Sequence, residues 1–207
     1  NSTDSWLYDR ATGKARLAIE MESVGNIDDM LGHLAVVNRL VTRGNNNLWL
    51  EDLRTHRSML LTPHMGPAQS AGLYGKDTTT VYIAHNIGRD RMGLGRVDIS
   101  ADGRTFKRTE LAERDDAELE SFTLNDAKTQ ALLKWNVAGR NELELIDLVS
   151  NSRRRLPAAP NELVGSIDFA PDGSRVVMAL GGATATSDLW QLDVASGAYT
   201  RLTFCLT

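Results

Sequence analysis

Cysteine is almost absent from this sequence, since Cys205 is the single one among 207 residues. An internal disulfide is therefore excluded, although one cysteine does not distinguish a cytoplasmic from a periplasmic or secreted protein. No apolar run approaches the roughly 20 residues that a membrane-spanning helix needs. The first residues have neither the basic start nor the apolar core of a signal peptide. We therefore expect no membrane partner, and the localisation stays open.

An excess of charge of one sign is also missing. The 23 Lys and Arg residues face 27 Asp and Glu residues, which gives a formal net charge of −4. Affinity for nucleic acids depends largely on a positive surface, so no nucleic acid is expected as a partner. The apolar fraction of 42% is ordinary for a globular chain of this length.

A pattern that does occur is an internal repeat. An alternating apolar run, an aspartate, a short polar turn and a second run recur five times. The repeated aspartates are Asp9, Asp52, Asp98, Asp147 and Asp193, which follow one another at 43, 46, 49 and 46 residues. Each copy alternates apolar and polar residues, as strands with one buried face do, and predicts a β-hairpin.

A second hairpin precedes the first in most copies. Its clearest example contains Pro171, Asp172 and Gly173, in which proline presets φ and glycine takes the left-handed position of the turn. Weaker copies surround Asp77 and Asp126, where we expect the short acidic side chain to stabilise the turn. Two hairpins in about 46 residues predict the four strands of a propeller blade. The alternative is a generic β-sandwich.

The repeat divides the whole chain, residues 1–207, into an all-β propeller of about four and a half four-stranded antiparallel blades. The predicted blades are 23–66, 67–112, 113–157 and 158–205, and residues 1–22 hold only the outer hairpin of a blade. Because the chain opens on Asn1 and on a half-blade, we expect a fragment of a longer propeller that lacks blades on its N-terminal side. Exposed blade edges and faces predict self-association of the fragment.

Two segments of the last blade carry a family resemblance. The segment Phe169–Arg175, F-A-P-D-G-S-R, resembles the F-S-P-D-G-x-R/K inner hairpin of TolB-type propellers and of the propellers of the prolyl oligopeptidase family. Asp188–Thr203 resembles their D-L-W-x-x-D-x-x-T-G-x-x-x-R-L-T outer hairpin. The small residues 181–187 resemble an insertion in the final blade of bacterial prolyl-oligopeptidase-like serine peptidases. That resemblance implies a catalytic α/β-hydrolase domain that follows the propeller and would begin after Thr207.

Motifs that carry chemistry are missing from the chain itself. No Gly-x-Ser-x-Gly nucleophile elbow occurs, and Ser70, which lies near a glycine, lacks the required strand-to-helix context. His33, His56, His64 and His85 have no metal-ligand spacing. We predict turn or surface roles for them, with a contact at a domain interface as the alternative for His64. We therefore predict no catalytic, cofactor-binding or metal-binding residues.

Two functions fit these observations. The first is the non-catalytic propeller of a prolyl-oligopeptidase-type serine peptidase, which would cover the active site and admit peptide substrates while it rejects folded proteins. The second is a stand-alone TolB-like propeller that binds protein or peptide partners. Propeller lyases and lactonases are a third class, but they need several inward polar side chains that the sequence does not identify.

Overall fold

The structure is a computed structural model that describes residues 3–21 and 23–205. Within these ranges the chain forms eighteen β-strands and no helix. The described residues therefore include no helix that could cross a bilayer. The predicted half-blade 1–22 and the predicted domain 1–207 include positions 1, 2, 22, 206 and 207, which lie outside the described residues. The chain divides into two compact units, residues 1–113 and 114–207.

Unit 1 contains a two-stranded hairpin and two four-stranded antiparallel sheets. The N-terminal hairpin consists of β1 (Ser5–Asp9) and β2 (Lys14–Ile19). Sheet A consists of β3 (Gly25–Leu31), β4 (Leu34–Thr42), β5 (Asn45–Asp52) and β6 (Arg57–Leu60). Sheet B consists of β7 (Ser70–Tyr74), β8 (Thr80–His85), β9 (Gly93–Ile99) and β10 (Phe106–Ala112).

Unit 2 contains two further sheets of the same design. Sheet C consists of β11 (Glu118–Leu124), β12 (Gln130–Val137), β13 (Arg140–Asp147) and β14 (Arg153–Arg155). Sheet D consists of β15 (Leu163–Phe169), β16 (Arg175–Gly182), β17 (Ala185–Asp193) and β18 (Tyr199–Arg201). In all four sheets each strand pairs with the next strand in sequence. The predicted all-β fold of four-stranded antiparallel sheets is confirmed.

Alternation along the strands places the core between neighbouring sheets of each unit. In unit 1, Val36 and Leu48 of sheet A pack with Val81 and Ile83 of sheet B. In unit 2, a second apolar cluster joins sheets C and D. Burial of a Val, Leu or Ile side chain stabilises the folded state by about 1.5–3 kcal/mol, so these layers are the main source of each unit's stability.

The turns use the chemistry that the sequence predicts, with exceptions. Gly173 has a φ of +70°, which only glycine adopts without strain. Asp77 and Asp172 accept hydrogen bonds from backbone N–H groups two residues further on. The prediction for Asp126 is wrong, because the neighbouring Asn125 stabilises this turn. Its Oδ1 accepts hydrogen bonds from the N–H groups of residues 129 and 130.

The antiparallel order gives unit 1 two distinct ends. At the turn end lie the β3–β4, β5–β6, β7–β8 and β9–β10 connections. At the loop end lie the β4–β5 turn, the β6–β7 segment 61–69 and the β8–β9 segment 86–92. Each end holds a cleft between sheets A and B.

Candidate functional site

Sheet B brings a serine, a histidine and a glutamate onto neighbouring strands. Ser70 of β7 lies directly opposite His85 of β8. Glu110 of β10 lies opposite Gly95 of β9, and a side chain at position 95 would come within 2.8 Å of His85 Nε2. The absence of a side chain there lets Glu110 reach across β9, so that its Oε2 lies 3.0 Å from His85 Nε2.

This arrangement is not that of a nucleophile and its general base. The backbone N–H of Ile87 donates to His85 Nδ1 at 3.2 Å, so the neutral ring carries its proton on Nε2, the atom next to Glu110. Among the described residues, the Ser70 hydroxyl has no hydrogen-bond partner, and His85 therefore does not take its proton. A base that activates serine must hydrogen-bond to it.

His85 instead belongs to a buried structural network. The ring is fully buried, which contradicts the predicted turn or surface role. Sequence alone could not reveal this, because the register of β7, β8 and β9 decides what surrounds the ring. Arg89 and Arg108 also contact Glu110. Although burial opposes ionisation, the contact with His85 and the two guanidinium groups lower the pKa of Glu110.

The other three histidines lie in turns and loops, as predicted. His33 lies in the β3–β4 turn, where its Nε2 is 3.9 Å from Asp52 Oδ1. His56 occupies the β5–β6 turn with a φ of +55°. His64 lies in the β6–β7 segment, where Nδ1 contacts the carbonyl oxygen of Thr62 at 2.7 Å. In the described ranges, no group of three or more His, Cys, Asp or Glu side chains could hold a metal ion.

The turn end of unit 1 holds a cleft of about 610 Å³ between sheets A and B. Ligand pockets typically measure about 300–1,000 Å³ and combine an apolar surface with a few polar groups. The apolar part of this cleft consists of Leu34, Leu50, Met59, Ile99 and Ala101. The polar part includes Ser58, Thr78, Thr79, Asp52, Asp102, Arg57 and Arg104.

The acidic side chains of this cleft have hydrogen-bond partners, whereas its two arginines have no ionic partner in the described ranges. Asp52 and Asp102 accept hydrogen bonds within their own turns. The backbone N–H of Arg54 lowers the pKa of Asp52. The Ser100 hydroxyl, together with the N–H of Arg104, lowers the pKa of Asp102. Arg57 and Arg104 make no salt bridge with any residue that the structure describes. The cleft can therefore accept a segment that offers both apolar surface and oxygen acceptors. These groups suit recognition of a ligand.

Comparison with solved structures identifies the fold. TolB from Acinetobacter baumannii matches with a TM-score of 0.69 and 17% identity, over 94% of this chain and 47% of that one. The fold is a β-propeller. Each of sheets A to D is a blade, and the predicted partial propeller of about four and a half blades is confirmed. The chain spans about half the length of TolB.

Peptidases contain the same propeller. A prolyl endopeptidase matches with a TM-score of 0.74 and 16% identity, over 91% of this chain and 28% of its own. A puromycin-hydrolysing peptidase from Mycobacterium tuberculosis matches with a TM-score of 0.72 and 13% identity, over 93% of this chain and 30% of its own. No protein-family model and no curated protein matches the sequence. At these identities the likeness establishes the propeller fold.

Proposed function

We propose that this propeller is the non-catalytic portion of a prolyl-oligopeptidase-type serine peptidase. In this role it gates the access of peptide substrates to a hydrolase domain outside residues 1–207. The observation that carries the proposal is the match of more than nine tenths of the chain to less than a third of two peptidases. More than two thirds of each peptidase lies outside the match, which leaves ample length for a catalytic domain.

The gate follows from physical properties of the blades. Each blade is a four-stranded sheet whose buried face packs on its neighbour within the unit, so the domain resists deformation. A rigid cover over an active site admits a chain in an extended conformation and excludes a folded globule. Inter-domain dynamics have a role in catalysis and specificity in the prolyl endopeptidases of similar fold. In the proposed protein, movement of the cover relative to the hydrolase domain would control entry.

The turn-end cleft supports a recognition role within this gate. Its apolar surface and its unpaired Arg57 and Arg104 suit a peptide that carries both an apolar side chain and a carboxylate or carbonyl group. Within the described residues, Ser70 and His85 do not form a hydrogen-bonded pair. We therefore assign the chemical step to the hydrolase domain, and substrate selection to the propeller.

A stand-alone binding propeller is the second candidate. TolB supports it, because the chain covers a larger share of TolB than of either peptidase. In this case the same cleft would bind a protein or peptide partner, and no hydrolysis would follow.

Labelling by a serine-directed probe separates the two candidates. The full coding sequence is expressed, and the product and the 207-residue chain are incubated with a fluorophosphonate. The peptidase proposal predicts one labelled serine in a Gly-x-Ser-x-Gly motif after Thr207, and no label on residues 1–207. The matched control is the full product in which the labelled serine is replaced by alanine. A coding sequence that ends at Thr207, or a full product that takes no label, would favour the binding module.

A further inference from the structure

The loop end of unit 1 holds a second pocket, of about 350 Å³, between sheets A and B. Five side chains that line it end in an amide, namely Asn26, Asn38, Asn45, Asn46 and Gln69. Four apolar side chains, Val24, Leu40, Ala71 and Met92, also line it. No charged or aromatic side chain of the described residues contributes to the lining. This composition differs from the turn-end cleft, which carries four charged side chains.

Two of the amides fix the base of the pocket. Asn46 donates from Nδ2 to Asn38 Oδ1 at 2.6 Å and to the carbonyl oxygen of Ser70 at 2.6 Å. Its Oδ1 accepts the N–H of Ser70 at 2.7 Å. Asn38 Nδ2 donates to the same carbonyl at 3.1 Å. These bonds join sheet A to β7 and leave Asn38 and Asn46 with a structural role.

Other polar groups of the pocket still have unused hydrogen-bonding capacity. Asn45 accepts from Ala68 N–H and contacts His64 Nε2 through Oδ1, so its Nδ2 group remains available. Asn26 donates from Nδ2 to Asp28 at 2.6 Å, which leaves its Oδ1 available. The Gln69 amide has no protein partner among the described residues. Ser70 also lines the pocket, but its hydroxyl is buried and, in the part of the chain that the structure describes, has no partner, so a ligand does not reach it.

Unused donors and unused acceptors therefore lie side by side in a pocket without charge. A peptide group presents one donor and one acceptor, and it matches such a surface without introducing an unpaired charge. A phosphate or carboxylate would lose hydration without gaining a cationic partner, which is costly. The lining lacks the aromatic surface on which sugar rings commonly stack. The apolar side chains add contact area for one apolar residue.

We propose that the loop-end pocket binds a neutral, extended peptide segment. Its main chain hydrogen-bonds to the amides of Asn26, Asn45 and Gln69, and an apolar side chain lies among Val24, Leu40 and Met92. The volume, at the small end of the range for ligand pockets, accommodates one or two residues. The inference goes beyond the proposed function, because a peptide pocket would serve both a peptidase gate and a stand-alone binding module.

The segment 63–67 lies beside this pocket. His64 holds its position through both ring nitrogens, and Pro63 and Pro67 restrict the backbone on either side. Met65 of this segment is fully exposed to solvent. Asn45, which lines the pocket, contacts His64 of this segment. A rigid segment loses little conformational entropy when it contacts a ligand.

Titration of the 207-residue chain with capped hexapeptides tests the proposal. One peptide contains a single leucine among serine and glycine residues, a second replaces two serines with glutamate, and maltotriose serves as the sugar probe. Backbone amide NMR shifts report binding and its location. At the loop-end pocket we expect the neutral peptide to bind best and to shift resonances of residues 24–26, 45–46 and 69–71.

Variants identify the groups responsible. Gln69→Ala and Leu40→Ser, both at exposed positions, should each weaken binding of the neutral peptide about fivefold, the effect of one lost contact of about 1 kcal/mol. Asn47→Ala is the control, since Asn47 neighbours the pocket but does not line it. Equal affinity of both variants and the control would overturn the proposal. So would shifts confined elsewhere, or a preference for the acidic peptide or for maltotriose in the shifts of the pocket's own residues. The readout needs no hydrolase domain, so it is independent of the proposed function.

Discussion

Substitution of Glu144 by alanine should destabilise unit 2 by leaving a buried tryptophan donor without a partner. Glu144 of β13 is 8% exposed, and its Oε2 accepts a hydrogen bond from Trp135 Nε1 at 2.9 Å. Trp135 itself is fully buried. Arg153 of β14 donates to both carboxylate oxygens, at 3.0 and 2.9 Å, so the same carboxylate also joins the outermost strand to the sheet.

The magnitude follows from these two contacts. An unsatisfied buried donor costs about 1–3 kcal/mol. The pair with the partly exposed Arg153 contributes about 0–1 kcal/mol, because water screens it. Together the Glu144→Ala change should lower the free energy of unfolding by about 1–4 kcal/mol. Glu144→Gln keeps a carbonyl acceptor for Trp135 and should cost less than Glu144→Ala.

Urea denaturation followed by tryptophan fluorescence and far-ultraviolet circular dichroism measures these differences. A double-mutant cycle with Trp135→Phe isolates the indole contact, because phenylalanine has no N–H to satisfy. Glu144→Ala should therefore cost less in the Trp135→Phe background than in the wild type. Equal costs in both backgrounds, or an unchanged midpoint for Glu144→Ala, would refute the argument.

Three further predictions concern turns and the end of the chain. Gly173→Val should destabilise unit 2 by roughly 1–3 kcal/mol, because φ is +70° there, and an unchanged melting temperature would contradict this. Ala138→Asn should raise the free energy of unfolding by up to about 1 kcal/mol, since Ala138 holds a φ of +49° in a two-residue hairpin turn that favours asparagine; urea midpoints measure it. The N–H of Cys205, together with Arg201, lowers the pKa of Asp188 to about 2. This folded-state pKa lies below the unfolded value of about 3.9, so the contribution of Asp188 is present above pH 4 and is lost as pH falls towards 2. Asp188→Asn should therefore flatten the decline in melting temperature over that range, and an identical decline would contradict the assignment.

Local chemistry explains why the hairpins could be predicted. Asp52, Asp147 and Asp193 each accept backbone N–H bonds within the turn that follows, so the same short signal marks each copy. The third copy differs, since Asp98 pairs with Arg96 inside β9 and Asp102 holds the turn instead. The signal survives this change because each turn still needs a short acidic side chain.

The clefts and the buried polar groups depend on the register of the strands, which cannot be read from the sequence pattern alone. Ser70, His85 and Glu110 are separated by 15 and 25 residues. They come together only because consecutive strands from β7 to β10 pair in this register. The amides of the loop-end pocket come from β3, β4, β5 and the segment before β7. Left-handed turn residues such as His56 and Lys128 also escape prediction, because they replace the glycine that other copies use.

Hydrolysis of one peptide in two contexts by the full-length protein tests the central claim most directly. The peptide is presented free and within a loop of a stable folded carrier. The value of kcat/KM is measured for the full product and for the proposed hydrolase domain without the propeller. A propeller gate predicts efficient cleavage of the free peptide alone, and a loss of that discrimination when the propeller is removed. If the full product cleaved the free peptide and the carrier-bound peptide equally well, the gate would be contradicted. The same preference in the isolated hydrolase domain would also contradict it.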